Sequence, residues 1–333
     1  MDSTSNNWGM LGHQWAVSLL SGHIANQRLR HAYLITGAQG TGRRTLALRL
    51  AQAINCTQPP APGDFCGECR SCRLIARMEH PDLTVVQSKE AGKTLKVEQI
   101  RELQRTLSLS PYEARYKIAL LLRFEEANPN AANALLKTLE EPPPQVIILM
   151  TASDGEALLP TILSRCEVIR LRPLSIEAVS DGLQTRWGLP APDAELLAHL
   201  SGGRPGYALK LHHNPELLEQ RQTRLDDHRR LISASRVERF AYAENLAKDR
   251  TTLRAALQTW LTLWRDVMLR AAGSAAPLTN FDRVDEIEFL SGKVDLIVAQ
   301  GMVKRLEDAI EQNDRYLNAR LLTETLLLDL PQV

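Results

Sequence analysis

Two clusters of residues in this chain have the types and the spacing to do chemistry. The first is sulfur: Cys66-Gly67-Glu68-Cys69-Arg70-Ser71-Cys72, with Cys56 upstream. Two overlapping Cys-x-x-Cys units bring three thiols to one point, and Gly67 permits the tight turn between them. A thiolate from Cys56, the remote member, completes a tetrahedral set, which is the donor pattern of structural Zn²⁺. A redox pair is the weaker reading, because a third and fourth cysteine would compete for metal. Cys166 stands apart and reads as a small core residue.

The second cluster is glycine and arginine. Residues 33–35 read as a short buried strand, 37–42 as a tight turn and 45–54 as a helix. Strand, Gly-rich turn and helix N-terminus form a phosphate cradle, because backbone N–H groups turn inward there. A working loop continues with Lys, which reaches the phosphates, and then Ser or Thr, which holds Mg²⁺. This chain continues with Arg43 and Arg44. Arg43 can still reach a phosphate, Arg44 puts a cation where a metal ligand belongs, and Thr45 comes one residue late. Gly37, Gly40, Gly42, Arg43 and Thr45 therefore read as a vestigial nucleotide loop. ATP hydrolysis by this chain is not expected, and ATP binding is doubtful. A second deficit agrees. An ATPase ends the strand over 118–122 in an acidic pair that polarises water and places Mg²⁺. Here that strand ends in Leu122-Arg123, and Glu125 and Glu126, coming late, are expected to face solvent.

Two further arginines stand in motifs. Ser164-Arg165-Cys166 precedes the last strand, where a sheet edge can meet a neighbouring subunit; taken alone it reads as a surface ion-pair residue. Arg204, in Gly202-Gly203-Arg204-Pro205-Gly206, either contacts a nucleotide or caps a helix.

The elements that position these residues follow from periodicity. Apolar spacing predicts helices over 10–29, 97–107 and 130–141, the last stopped by Pro142, Pro143 and Pro144. Strands are predicted over 83–86, 118–122, 146–151 and 168–171. Continuous apolar strands alternating with helices predict a doubly wound parallel sheet. No strand is expected beyond about 172. Residues 175–213 read as three short helices, and from 215 onward as long ones. Leu253, Leu257, Trp260, Leu261, Trp264, Val267 and Met268 form one apolar face, read as the core of a helix bundle. Residues 271–280 read as an exposed loop.

Composition sets the outer bounds. The 333 residues leave room for about two or three domains. A net charge of +1 makes any nucleic-acid contact local rather than global. The apolar runs are strand-length, and residues 1–7 are polar without a leader pattern, so a soluble cytoplasmic protein is expected. In that compartment four clustered cysteines favour metal over disulfides.

Longer motifs carry a resemblance. Asn133-Ala134-Leu135-Leu136-Lys137-Thr138-Leu139-Glu140-Glu141-Pro142-Pro143 and Leu159-Pro160-Thr161-Ile162-Leu163-Ser164-Arg165-Cys166 resemble the clamp-loader branch of AAA+ proteins. So do His31-Ala32-Tyr33, the four-cysteine insert and His80-Pro81-Asp82-Leu83. The likeness covers roughly residues 10–211. It implies α/β plus all-α architecture: a RecA-like AAA+ domain over 1–172 with a zinc module at about 56–80, a helical lid over 173–213, and a helical collar over 214–333. Bacterial loaders contain an ATP-hydrolysing subunit type, gamma/tau, with Gly-Lys-Thr in its loop, and a type that often lacks ATPase activity. Gly42-Arg43-Arg44 and Leu122-Arg123 look like the second. The resemblance then implies that Arg165 is an arginine finger acting in trans. The family's sensor arginine aligns near Gly206, two residues from Arg204. The implied partners are the other loader subunits (gamma/tau and delta), the sliding clamp and primed DNA, within the polymerase III holoenzyme.

Two alternatives remain at this level. A gamma/tau-like ATPase would bind Mg²⁺-ATP tightly. A stand-alone P-loop kinase would need neither the Ser164-Arg165-Cys166 edge nor a long helical collar.

Overall fold

Strand β1 (Ala32–Thr36) is buried at every position, because it lies inside a sheet covered on both faces. The sheet also contains β2 (Leu83–Val86), β3 (Lys117–Leu121), β4 (Val146–Ala152) and β5 (Glu167–Arg170). All neighbours run parallel in the order β2-β3-β4-β1-β5, with Leu34 opposite Met150 on one side and Val168 on the other. This computed structural model describes residues 7–89 and 93–331; residues 1–6, most of the polar start, lie outside the described residues.

The strands explain their own continuous apolarity. Tyr33, Ile35, Leu120 and Leu149 point into one layer, against α1 (Gln14–Ala25), α2 (Arg43–Asn55) and α3 (Arg70–Arg77). Leu34, Leu121, Ile148 and Met150 point into the other, against α4 (Val97–Leu107), α5 (Pro129–Glu140) and α6 (Pro160–Leu163). Alternate side chains serve opposite faces, so a strand covered on both sides has no polar phase. Helix α5 starts where Asn128 accepts a hydrogen bond from Ala131 N and Pro129 occupies the first turn. The expected doubly wound parallel sheet is thus present. The loop after β1 emerges where the strand order reverses, the crevice where such sheets bind ligands.

By contacts the chain forms two units. One runs to Gly182 and includes Gly203–Tyr207; the other comprises Leu183–Gly202 and everything from Ala208 onward. Beyond β5 the described residues are helical: α7 (Ile176–Trp187), α8 (Ala191–Ser201), α9 (Pro205–His213), α10 (Pro215–Ser233), α11 (Arg236–Leu246), α12 (Arg250–Ala271), α13 (Val284–Ser291), α14 (Leu296–Asp314) and α15 (Ala319–Leu328). Leu253, Leu257, Trp260, Trp264 and Val267 are buried at the centre of the second unit's core, with Leu261 and Met268 packed against it. The buried tryptophan N–H groups are satisfied: Trp260 donates to Arg224 O at 2.8 Å and Trp264 to His228 Nε2 at 2.9 Å. Burial pushes His228 down to about 3, so it is a neutral acceptor there. Buried Arg239 caps the carbonyls of Leu231, Ile232, Leu327 and Leu330.

Residues 272–280 carry no helix, and Ala272, Gly273, Ala275 and Pro277 are exposed as a loop should be, but the end of the segment is not. Leu278 and Asn280 are buried, because Asp266 accepts the N–H groups of Thr279 (3.0 Å) and Asn280 (2.7 Å). Small residues resemble a surface loop in composition, and the anchoring carboxylate lies 13 and 14 residues back in sequence, on α12. No helix among the described residues is long and apolar enough to cross a membrane.

Candidate functional site

The turn after β1 is held by close backbone packing. At Gly37 (φ +143°) a Cβ would lie 2.2 Å from Leu171 O. At Gly40 (φ +90°) it would lie 2.7 Å from Tyr207 N, and Gly206 N donates to Gly40 O at 2.8 Å. Only glycine fits either position. Gly42 is the N-cap of α2, which begins at Arg43, two residues earlier than its apolar pattern suggests. Arg44 and Thr45 are exposed on the first turn, and Arg44 reaches Met78 Sδ at 3.3 Å. Arg204 stacks its guanidinium 4.7 Å from the Tyr207 ring centre.

Arg43 points inward, with its side chain 11% exposed, and its Nη1 lies 4.0 Å from Glu125 Oε1. Burial lowers the guanidinium's proton affinity and Glu125 opposes the change. Glu125 also accepts Ser153 N–H at 3.0 Å. Glu126 is bound by Arg123 Nε at 3.0 and 3.1 Å and by the Ser88 hydroxyl, and Arg123 Nη2 donates to Ser88 Oγ at 3.1 Å. The expectation that Glu125 and Glu126 face solvent is therefore corrected. Arg123 takes a left-handed conformation (φ 53°), Phe124 buries itself, and the 3-10 turn Phe124–Glu126 folds both carboxylates back toward the sheet.

At the other end of α2, Cys56, Cys66, Cys69 and Cys72 place their sulfurs within 4.8 Å of one another. Cys56 Sγ and Cys66 Sγ are 3.6 Å apart, close to the edge of about 3.8 Å that a tetrahedron with 2.3 Å metal–sulfur bonds requires. Backbone N–H groups are aimed at the sulfurs: Cys66 N at Cys56 (3.3 Å), Cys69 N at Cys66 (3.3 Å) and Cys72 N at Cys69 (3.4 Å). Burial opposes ionisation of Cys69, but hydrogen bonds from Thr57 and Cys72 outweigh it and bring the thiol to about 6. Four sulfurs with no disulfide among them suit a soft, tetrahedral metal. Buried Gln52 on α2 donates to Cys72 O at 2.8 Å, fastening the module to the domain.

His80-Pro81-Asp82 has a structural explanation. Asp82 accepts the N–H groups of Tyr112, Glu113 and Ala114 at 2.7, 2.9 and 2.9 Å, which ties the approach to β3. Burial raises its proton affinity, but the three N–H donors win and hold the carboxyl below its usual range.

Arg165 follows α6 and precedes β5, the edge strand. Its side chain is 33% exposed. Nη2 meets Glu140 Oε1 at 2.6 Å, while Nη1 donates to Thr161 O (2.8 Å) and Ser164 Oγ (3.3 Å). Cys166 packs against the core, and burial pushes its thiol up to about 12. The structure thus gathers the four cysteines at one point and the glycines with Arg43 at another, and it puts Arg165 at the sheet edge. Glu125 and Glu140 were not picked out as site residues from sequence.

With this geometry in hand, similarity to known proteins is informative. The family model described as "DNA polymerase III, delta subunit" matches residues 12–175. The chain is 33% identical over 325 residues to the DNA polymerase III subunit delta' of Pseudomonas aeruginosa, covering 95% of each. The chain belongs to the delta-prime family of DNA polymerase III subunits. It is also 31% identical to the delta' subunit of Bacillus subtilis over 82% of each chain. Similarity to the tau/gamma subunit of Haemophilus influenzae, 33% identical, spans 56% of this chain and 27% of that one. The delta-prime likeness therefore takes in the helical second unit, whereas the tau/gamma match spans little more than half of the chain.

Proposed function

We propose that this chain is a clamp-loader subunit that takes part in ATP hydrolysis only through its neighbour. In this reading its own loop (Gly37, Gly40, Gly42, Arg43, Thr45) is vestigial, and Arg165 completes the site of an adjacent motor subunit. The observation that carries the reading is the pairing of Arg43 with Glu125. The cation nearest the phosphate position already faces a carboxylate of its own chain. No acidic pair is free at the end of β3, since Glu126 is engaged by Arg123. Arg165, by contrast, stands at the sheet edge with part of its guanidinium open.

The remaining roles follow. Residues 1–172 act as the nucleotide-type domain, 173–213 as the lid and 214–333 as the collar that holds a ring together. The four cysteines bind one structural Zn²⁺. The partners are gamma/tau and delta subunits, the sliding clamp and, through the complex, primed DNA in the cytoplasm. A gamma/tau-like motor role is disfavoured by Arg43, Arg44 and Arg123.

The test is a reconstituted ring in which the loops of all other subunits are disabled. No clamp-stimulated ATP turnover above background is expected. Residual turnover that disappears on Gly42→Ala would overturn the reading.

A further inference from the structure

The two longest sequence motifs of the first unit meet at one ion pair. Glu140 is the last residue of α5, inside Leu139-Glu140-Glu141-Pro142-Pro143, and Arg165 lies in the turn after α6. Nothing in their spacing requires contact, yet Glu140 Oε1 is 2.6 Å from Arg165 Nη2. Thr161 O and Ser164 Oγ hold Nη1. These bonds engage Nη1 twice and Nη2 once. Nε–H and the second Nη2 hydrogen carry no further hydrogen bond among the described residues. Nε and Nη2 are neighbours on the guanidinium, and with Nη2 donating its inner hydrogen to Glu140 the two donors left form the fork that suits two oxygens of one phosphate.

We propose that Glu140 is a positioning residue for Arg165: it clamps one edge of the guanidinium so that the opposite fork faces out from the sheet edge toward an incoming phosphate. This rests on the trans-acting role of Arg165 proposed above. A long arginine side chain without the clamp samples many rotamers, and holding one of them removes entropy that would otherwise be lost in the transition state. The pair is about half exposed on the Glu140 side. The positioning effect is therefore that of an exposed ion pair, roughly two- to fivefold in rate. Glu140 touches no substrate in this scheme. Gln at this position keeps the acceptor oxygen and keeps most of the orientation; Ala removes it.

The experiment is a mutant cycle in the reconstituted ring, with only the motor site next to this subunit left active. Single-turnover ATP hydrolysis is measured for Glu140→Ala, Glu140→Gln, Arg165→Ala and the double variant Glu140→Ala/Arg165→Ala, with ring assembly checked by gel filtration. The expected result is a roughly two- to fivefold lower maximal rate for Glu140→Ala at unchanged ATP concentration dependence, near-normal rate for Glu140→Gln, and no further loss when Glu140→Ala is added to Arg165→Ala. If Arg165→Ala lowers the rate and Glu140→Ala does not, the clamp is refuted while the arginine's role stands. A further loss in the Arg165→Ala background also overturns it, because Glu140 then acts on something else. If Arg165→Ala itself has no effect, the trans-acting role fails, and the clamp with it.

Discussion

Helix α2 has a ligand-type loop at each end, and the two have opposite fates. At its N-terminus the glycine turn leads into Arg43; at its C-terminus the cap residue is Cys56, the first of four clustered cysteines. A helix N-terminus favours an anion, and the Arg43 side chain there faces the chain's own Glu125 at 4.0 Å. At the C-terminus all four donors are of one kind. Together they could hold one cation, and backbone N–H groups hold them converged. Donors of one kind gathered at a point favour a shared cation, whereas groups of opposite sign can face each other instead of a ligand.

Three perturbations test this contrast, and the largest effect belongs to the cysteine end. Structural zinc contributes on the order of 10–16 kcal/mol of apparent binding energy to small modules. Elemental analysis should find about one zinc per chain for a four-thiolate site. Chelation or Cys66→Ser should make residues 56–80 labile to protease and hydrogen exchange while α10–α15 stay protected. A metal-free preparation that is fully folded and protease-resistant would count against the module's dependence on metal.

At the glycine end the effect is smaller. Glu125→Ala leaves Arg43 largely buried without its counter-charge and should destabilise the first unit by about 1–3 kcal/mol, read from urea unfolding. It should also raise pyrophosphate affinity by calorimetry, since the freed cation then lacks an internal anion. Unchanged stability together with unchanged affinity would mean that this pair does not close the loop.

The smallest effect is expected from restoring the loop's letters. Arg43→Lys combined with Arg44→Thr should change stability by no more than about 0.5–1 kcal/mol, because Arg44 is exposed and Lys keeps the charge facing Glu125. No ATP turnover should appear in the ring, since Arg123 still terminates β3 and still holds Glu126. Turnover gained from these two substitutions would show that only the loop had decayed.

Much of this was legible in the sequence for physical reasons. The strands announce themselves because both faces of the sheet are covered, so β1, β3 and β4 have no polar phase. The cysteines announce themselves because a metal-type donor set needs both one residue type and short spacing. Helix starts were less legible: α2 begins at Arg43 because Gly42 turns the chain, whatever the apolar spacing says. The partners of the two arginines were not picked out from sequence. Glu125 reaches Arg43 only because Arg123 reverses the backbone, and Glu140 reaches Arg165 across 25 residues of chain. Residues 272–280 read as an exposed loop by composition, but the Asp266 carboxylate draws in its end at Thr279 and Asn280. The missed polar contacts join residues distant in sequence, and such contacts leave no periodic trace.

The central claim is that a subunit without chemistry of its own supplies Arg165 to its neighbour. The direct test is single-turnover ATP hydrolysis at that neighbour's site in an assembled ring carrying Arg165→Ala. A site wholly dependent on such an arginine should slow by roughly 10³–10⁵, total turnover of a fully active ring should fall by less, and Arg165→Lys should rescue poorly for want of the planar fork. An unchanged rate at the adjacent site, in a ring shown to be correctly assembled, would contradict the account.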